Sequence, residues 1–465
     1  MPPVLQLPAR VPSRRALRAV RGRPALAVRR ASAGVAAALV VVLGTAALTG
    51  PAAGATTTIF SAPSAAVLVP QDVAEARIAQ RVAEVAGGGG LGTHYSIEVA
   101  DAESGLGIYA YKPTYARVPA SNTKLFTAVS ALTVLTAQQR FATTVRRSGR
   151  SARVTFVSGG DPRLSNKKIK ALAAQTAAAL RAKRVPASHG ERRVKVRLDD
   201  TVFAGRARNP QWRSHYSTGI IQPVRGTTRK ALRSTDSAAS AARYFATRLD
   251  KALPGRWKVR YQGRASAPRK ARTVATVSSA TVGTLVRRML TYSDNQVAEV
   301  LSRDVAVASG LRPTFAGGAR ATTRAVRALG VDLTGSTLAD GSGLSPANLV
   351  TTRTIISLLR QVAASPDPAV RSILYSGELP LAGLTGTLAT TAGRFTGAGA
   401  RCAIGAVTAK TGSLEREKAL SGYTVGADGR LKVFSILVGG LTTSAQRARA
   451  LTDIDRVAAA IHGCS

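Results

Sequence analysis

The sequence predicts an α/β fold of the α+β kind that carries a β-containing insert domain. Short apolar or alternating segments occur near both ends of the chain, with helical patterns between them, which fits a sheet built from both termini. In addition, residues 146–275 contain 32 Lys or Arg against six acids, whereas the flanking segments are nearly balanced. This shift in composition predicts a basic insert domain at 146–275 and leaves 76–145 and 276–465 as the main domain.

The composition of the 465 residues restricts the class of protein. A hydrophobic fraction of 45% excludes a wholly disordered chain. Two cysteines exclude a disulfide scaffold and an all-cysteine metal site, and the four histidines are too scattered for a His-rich site. We therefore expect neither kind of metal site. The net charge of +42 predicts attraction to polyanions without specifying which one.

The N-terminus has the pattern of an export segment. Residues 1–30 contain eight Arg and no acid, and residues 31–48 form an uncharged apolar run. Small residues at 53–55 then provide a site for signal peptidase. We therefore predict a signal peptide or an uncleaved membrane anchor over 1–55 and an extracytoplasmic location. A linker is predicted over 56–75, because the chain is uncharged and rich in Ala, Thr, Ser and Pro as far as Gln71.

The spacing of apolar residues predicts the individual elements. Strands are expected at 95–100, 107–111, 194–198, 404–409, 420–425 and 431–438. Helices are expected at 125–135, 282–290, 296–307, 320–329, 353–363 and 445–461. The Asp428-Gly429 pair predicts a hairpin turn between the last two strands.

A serine lies three residues before a lysine at Ser121 and Lys124. Positions i and i+3 share one face of a helix, so the lysine amine can reach the serine hydroxyl and act as its base. A second copy, Ser165 and Lys168, occurs in the basic insert and is interpreted as a solvated helix start. Ser121 is favoured because the apolar helix that follows it would hold the serine in a core.

Two further motifs follow along the chain. Ser293 and Asn295 lie at the predicted break between two helices, where an ordinary N-cap is the alternative explanation. The K-T-G-S segment at 410–413 ends an apolar strand. Glycine in a strand permits a ligand to approach the backbone closely, and the lysine and hydroxyl groups are suited to binding a carboxylate.

In this order, S-x-x-K, S-x-N and K-T-G resemble the signature set of penicillin-binding proteins and serine β-lactamases. The 172 residues from Ser121 to Ser293 are similar to the large insert of low-molecular-mass class C penicillin-binding proteins, the D-alanyl-D-alanine carboxypeptidase/endopeptidase family. The resemblance covers about residues 76–465 and implies a penicillin-binding, serine β-lactamase-like transpeptidase fold. Segments 158–162, 340–345 and 379–388 also look like that family.

The resemblance implies an enzyme that acts at the cell wall on the D-Ala-D-Ala end of peptidoglycan stem peptides, through an acyl-enzyme that β-lactams also form. The same chemistry on a cross-link would make it an endopeptidase. The implied reaction needs no metal and no organic cofactor. Catalytic roles are implied for Ser121 as nucleophile, Lys124 as base and Ser293 as proton relay. Substrate-binding roles are implied for Asn295, Lys410, Thr411, Gly412 and Ser413.

The insert departs from the family at the site for the peptide side chain. Relatives often place an acid near a tryptophan in this part of the insert, where it receives the amine of the peptide's diamino acid. Here Trp212 is present, but no acid occurs between Thr201 and Thr235. We therefore predict a different acceptor or weaker selectivity for the peptide.

Two other functions stay open at the level of sequence. A serine β-lactamase would need a carboxylate to activate water, and no clear candidate precedes Lys410. A non-enzymatic binder of nucleic acid or anionic polymer would use the charge, but the insert has few aromatic residues for base stacking, so nucleic acid is not expected as the main partner. Contact of residues 146–275 with anionic wall polymer or a membrane surface is expected as a secondary property.

Cys402 and Cys464 are the only cysteines in the chain. An even pair in an exported protein is usually joined, so a disulfide between them is predicted. Two free thiols are the alternative.

Overall fold

The computed structural model describes residues 70–149, 152–182, 187, 190–230 and 234–464. The predicted export segment at 1–55 lies outside the described residues. The helices are α1 (Gln71–Gly87), α2 (Thr123–Leu135), α3 (Asn166–Ala182), α4 (Ser237–Ala252), α5 (Val282–Tyr292), α6 (Asn295–Ala308), α7 (Phe315–Ala328), α8 (Thr352–Ala364), α9 (Pro368–Tyr375) and α10 (Ser444–His462). The strands are β1 (Tyr95–Asp101), β2 (Gly107–Tyr111), β3 (Ala142–Arg147), β4 (Arg153–Val157), β5 (Asp161–Leu164), β6 (Arg192–Asp199), β7 (Thr227–Arg229), β8 (Trp257–Arg264), β9 (Arg272–Ser278), β10 (Thr408–Ser413), β11 (Lys418–Val425) and β12 (Leu431–Val438).

The main sheet contains strands from the beginning and from the end of the described residues, in the order β10-β11-β12-β1-β2. All its neighbours are antiparallel, and Tyr95 of β1 lies opposite Val438 of β12. The alternation of side chains along a strand sends Phe434 to the core shared with α1 and α10, and Val433 to the core shared with α2 and α5. The predicted α/β class, with a sheet built from both termini, is confirmed.

Local signals explain where several elements begin and end. Thr443 and Gln446 form a capping box at the start of α10. Between β11 and β12, Gly429 has φ of +73° and its N–H donates to the carbonyl of Gly426, which gives the hairpin turn predicted from Asp-Gly. Among the described residues, no helix has the length and apolar character needed to cross a bilayer.

Two predicted segments differ from the structure. The predicted strand at 404–409 is wrong over 404–407, because the chain turns there: Ile404 N–H donates to the Arg401 carbonyl and Gly405 has φ of +78°. Only from Thr408 onward is it extended. Residues 71–75, predicted as the end of the linker, form the start of α1, where Ala74 is buried.

A second sheet, in the order β8-β6-β4-β3-β9, is formed by the chain between Ala142 and Ser278. Strands β4, β6 and β8 are parallel, and α3 and α4 connect them and cover the sheet. The core between this sheet and its helices consists of buried residues from Val145 to Ala275, so it is separate from the cores of the main sheet.

The two parts of the molecule are joined by polar contacts beside the motif segments. Arg163 Nη1 of β5 lies 3.0 Å from Asp294 Oδ2, directly before α6. The indole N–H of Trp212 donates to Asp340 Oδ2 at 2.8 Å, and both residues are buried. The insert therefore contacts the main domain at two places, the start of α6 and the loop that contains Asp340.

Cys402 and Cys464 form a disulfide, with their Cα atoms 5.9 Å apart, which confirms the predicted pair. The bridge ties the end of α10 to the turn that precedes β10. It spans 62 residues of sequence, and a loop of this length corresponds to about 4 kcal/mol in the chain-entropy description.

Reduction is expected to lower the free energy of unfolding by about 2–4 kcal/mol, because the bridge no longer restricts the unfolded chain. Urea unfolding with and without reductant measures this difference. The matched control is the double variant Cys402→Ser/Cys464→Ser, whose midpoint should not respond to reductant. An unchanged midpoint in the wild-type chain would contradict the expectation.

Candidate active site

Ser121 lies in a short 3₁₀ turn, Ala120–Asn122, that leads directly into α2. The turn is strained and well anchored: Ala120 has φ of +48°, and the buried Asn122 donates from Nδ2 to Ser421 Oγ of β11 at 2.9 Å. The nucleophile predicted from sequence is therefore fixed between the first helix of the core and the main sheet. Its half-buried side chain faces a cleft of about 990 Å³.

Lys124 is fully buried on the first turn of α2, and its Nζ has three close polar neighbours. They are Ser121 Oγ at 2.8 Å, Asn295 Oδ1 at 2.7 Å and the Ser342 carbonyl at 2.6 Å. The last two can only accept hydrogen bonds. A neutral amine has two N–H bonds and one lone pair, so these two acceptors leave the lone pair for the proton of the Ser121 hydroxyl.

The environment of Lys124 shifts its titration toward the neutral amine. Burial lowers the pKa of Lys124 to about 8, although nearby acids oppose this shift. Burial, together with the charge of Lys124, also holds the pKa of Lys410 well below its usual value.

The carbonyl of Ser342 is positioned by a buried loop at 340–345. Asp340 accepts hydrogen bonds from the backbone N–H groups of Gly343 and Ser345, and Glu299 accepts from that of Ser342. Gly343 has φ of +82°, and a Cβ there would lie 1.8 Å from the Ala120 carbonyl, so only glycine fits against the turn that bears the nucleophile. Gly343 thus has a positional role beside the turn that bears Ser121.

Ser293 and Asn295 lie at the break between α5 and α6, as predicted. Ser293 has φ of +56°, and Asp294 is the N-cap of α6, accepting from Val297 N–H at 3.1 Å. Both Ser293 and Asn295 line the cleft with Ser121. Asn295 contacts Lys124 directly, whereas the Ser293 hydroxyl makes no hydrogen bond to Ser121, Lys124 or Lys410 within the described part of the chain.

The K-T-G-S segment forms most of β10, at the edge of the main sheet. Thr411 and Ser413 line the cleft, while Lys410 is fully buried behind it and donates to the Thr411 carbonyl at 2.9 Å. A Cβ on Gly412 would lie 2.8 Å from the Pro119 carbonyl. Glycine here therefore allows the edge strand to pack directly against the turn that carries the nucleophile.

Sequence reasoning missed a charged group that lines the cleft. Glu415, just after β10, lies 2.5 Å from Arg213 Nη1 and 3.3 Å from His215 Nε2, both from the insert. Among the described residues that line the cleft, it is the one carboxylate. No motif signals it, because its neighbours lie some two hundred residues earlier in the chain.

The second S-x-x-K copy has a structural explanation. Ser165 Oγ accepts a hydrogen bond from the backbone N–H of Lys168 at 3.3 Å, directly before α3. The pair therefore caps a helix of the insert, in agreement with its interpretation as a helix start. It does not line the cleft that Ser121 faces.

Comparisons with known proteins agree with this geometry. The sequence profile of the D-Ala-D-Ala carboxypeptidase 3 (S13) family matches residues 78–228 and 218–461. Carboxypeptidase DacB of Mycolicibacterium smegmatis is 30% identical over 383 residues, covering 79% of this chain and 80% of that protein.

Solved structures show the same fold. The crystal structure of penicillin binding protein 4 from Haemophilus influenzae has a TM-score of 0.63 at 21% identity, covering 81% of this chain and 99% of that one. A crystal structure of the same protein complexed with a novel β-lactam has a TM-score of 0.61 at 22% identity, covering 81% and 97%. The predicted penicillin-binding, β-lactamase-like fold is confirmed.

Proposed function

Because the chain belongs to the D-Ala-D-Ala carboxypeptidase 3 (S13) family, we propose that it is exported and cleaves the terminal D-Ala-D-Ala bond of peptidoglycan stem peptides through an acyl-enzyme on Ser121. Family membership confirms the resemblance to low-molecular-mass class C penicillin-binding proteins and the class of the enzyme, a serine-type D-Ala-D-Ala carboxypeptidase. The export, the acyl-enzyme and inhibition by penicillin are the proposed parts.

The observation that supports the acyl-enzyme most strongly is the environment of Lys124. Ser121 Oγ would attack the carbonyl carbon of the penultimate D-alanine while its proton passes to the lone pair of Lys124 Nζ. The C–N bond then breaks, and the leaving amine of D-alanine takes up a proton, for which Ser293 at the cleft is the proposed relay. Water subsequently cleaves the ester and restores the Ser121 hydroxyl.

The opposite side of the cleft is suited to the terminal carboxylate of the substrate. The hydroxyl groups of Thr411 and Ser413 face the cleft, and Lys418 Nζ lies 3.2 Å from Ser413 Oγ. Arg416 and Arg447 line the same side and add positive charge. A cross-linked peptide would place the same bond at Ser121, so an endopeptidase reaction is part of the proposal, as is acylation by β-lactams.

A serine β-lactamase is the alternative within this fold. Rapid hydrolysis of the acyl-enzyme would need a carboxylate that activates water beside Ser121. Buried Glu299 accepts hydrogen bonds from the backbone N–H groups of Gly341 and Ser342, and Glu415 is paired with Arg213. Neither position favours this alternative.

The basic insert is the basis for the proposed secondary partner. Residues 146–275 have a surplus of 26 positive charges, which would attract anionic wall polymer or a membrane surface at the proposed location. Such attraction is screened over about 10 Å at 0.1 M salt, so binding to wall fragments should weaken as salt is added. Salt-independent binding would contradict this part of the proposal.

Mass spectrometry of the acylated protein tests the proposed function. The purified chain should release D-alanine from a peptide that ends in D-Ala-D-Ala, and after incubation with penicillin it should carry one adduct on the peptide that contains Ser121. An adduct on another residue would overturn the assignment of the nucleophile. D-alanine release without any adduct would overturn the acyl-enzyme mechanism.

A further inference from the structure

A second large cleft lies away from the residues that line the active site. It has a volume of about 930 Å³ and is formed by the insert loop at 206–211 and helix α7. Four arginines line it: Arg206, Arg320, Arg324 and Arg327. No Asp or Glu is found among the described residues that line it. The proposed enzymatic function uses none of these residues.

The arginines of α7 are arranged in a row. Arg320, Arg324 and Arg327 are spaced by four and three residues, which places them on one face of the helix and spreads them over about 10 Å along its axis. All three are exposed, as is Arg206 across the cleft. A single small anion would reach only part of this row.

The four guanidinium groups have no partner in the part of the chain that the structure describes: none forms a hydrogen bond or an ion pair there. Other arginines of this protein are paired, for example Arg394 with Asp455 and Arg430 with Asp101. Four unneutralised cations around one concave surface, without a carboxylate among them, create a positive potential that selects an anion.

The walls of the cleft are held rigidly. The buried Arg303 donates to the carbonyl of Arg206 at 2.7 Å and lies over the ring of Phe315 at 4.1 Å. Thr314 caps α7, and Ala204 N–H donates to the Pro313 carbonyl at 3.1 Å. The insert loop and the start of α7 are thus fixed to each other, so the cleft needs little ordering before a ligand binds.

We infer that this cleft binds a soluble anionic polymer with repeated phosphate groups, so that successive phosphates contact the row Arg320, Arg324 and Arg327. A concave surface accepts a chain, whereas a membrane would need a flat or convex one. Phe315, the aromatic residue of the cleft, is buried, so no ring is available there to stack on nucleic acid bases. This inference is independent of the chemistry at Ser121, and three of the four arginines lie outside the basic insert.

Binding to long-chain polyphosphate, measured by fluorescence anisotropy at about 0.1 M salt, tests the inference. The variant Arg320→Gln/Arg324→Gln/Arg327→Gln should bind at least about tenfold more weakly, and the slope of log affinity against log salt should fall by about two. The variant with lysine at the same three positions keeps the charge and should keep most of the affinity. Melting curves establish that each variant is folded.

The matched control removes three exposed charges from the insert, Lys167→Gln/Lys170→Gln/Lys251→Gln. If this control weakens binding as much as the arginine variant does, general charge explains binding and the cleft is not a site. If inorganic phosphate competes as well as polyphosphate at the same total concentration of phosphate groups, the inference that the ligand is a polymer is overturned. Tighter binding to vesicles containing anionic phospholipid than to polyphosphate would identify a membrane surface instead and overturn the inference.

Discussion

Replacement of Ser121 by alanine is expected to abolish covalent labelling by a fluorescent penicillin and to lower D-alanine release by about 10⁴-fold or more. The reason is that the variant has no oxygen beside Lys124 Nζ to form the ester. The cleft and its carboxylate-binding side would persist, so noncovalent binding of the peptide should change little. Gel fluorescence measures the label, and a D-alanine assay measures turnover.

Ser165→Ala is the matched control, because it removes the serine of the other S-x-x-K copy. Since Ser165 Oγ only accepts from the N–H of Lys168 at the start of α3, its loss should cost about 1 kcal/mol of stability and leave labelling within twofold of wild type. Labelling that survives in Ser121→Ala and disappears in Ser165→Ala would reverse the assignment of the nucleophile.

Lys124→Arg is expected to lower the rate of acylation by about 10²–10⁴-fold, the range typical of a lost general base. A guanidinium stays protonated and has no lone pair for the Ser121 proton, although it keeps the positive charge. Stopped-flow labelling with penicillin gives the rate. Lys168→Arg makes the same change in the second copy and should leave the rate unaltered. Near-normal acylation by Lys124→Arg would show that this lysine is not the base.

The pH profile of the wild-type enzyme tests the same base without a mutation. The reactive form of Lys124 is the neutral one, so acylation should become faster as pH rises through a pKa of about 8 and slower as pH falls below it. With that pKa, about one tenth of the amine is neutral at pH 7 and half at pH 8. A rate that does not change between pH 6.5 and 9 would contradict the assignment.

Most of the predicted site came from spacing along the chain. The three motifs bring Ser121, Asn295 and the edge strand β10 to one cleft, and buried Lys124 lies behind them. Such motifs can be recognised in a sequence because the chemistry requires particular residue types at short, fixed intervals. Most helices and strands of the main domain were predicted for a related reason, since their buried faces recur with a regular period. Helices α1 and α9 were not predicted.

Contacts between distant segments could not be predicted. Glu415 forms an ion pair with Arg213, and Trp212 donates to Asp340, in each case between residues more than a hundred positions apart. The strands of the insert were mostly missed, although β8 alternates between apolar and charged residues. Trp257, Val259 and Tyr261 are separated by Lys258 and Arg260, so the period of two was present in the sequence.

The pairing of β1 with β12 has a consequence for the order in which the chain folds. During synthesis β1 and β2 are available early, but they remain a two-stranded ribbon with an open edge until β12 has been made. The core of the insert, in contrast, closes once Ala275 is present. We therefore expect the insert to fold first, and pulsed hydrogen exchange during refolding should show the amides of β4 and β6 protected before those of β1. Protection of β1 first would contradict this order. Until β12 has been synthesised, the open edge of β1 can pair with other chains. Slow synthesis or delayed release of the C-terminal segment would therefore increase aggregation.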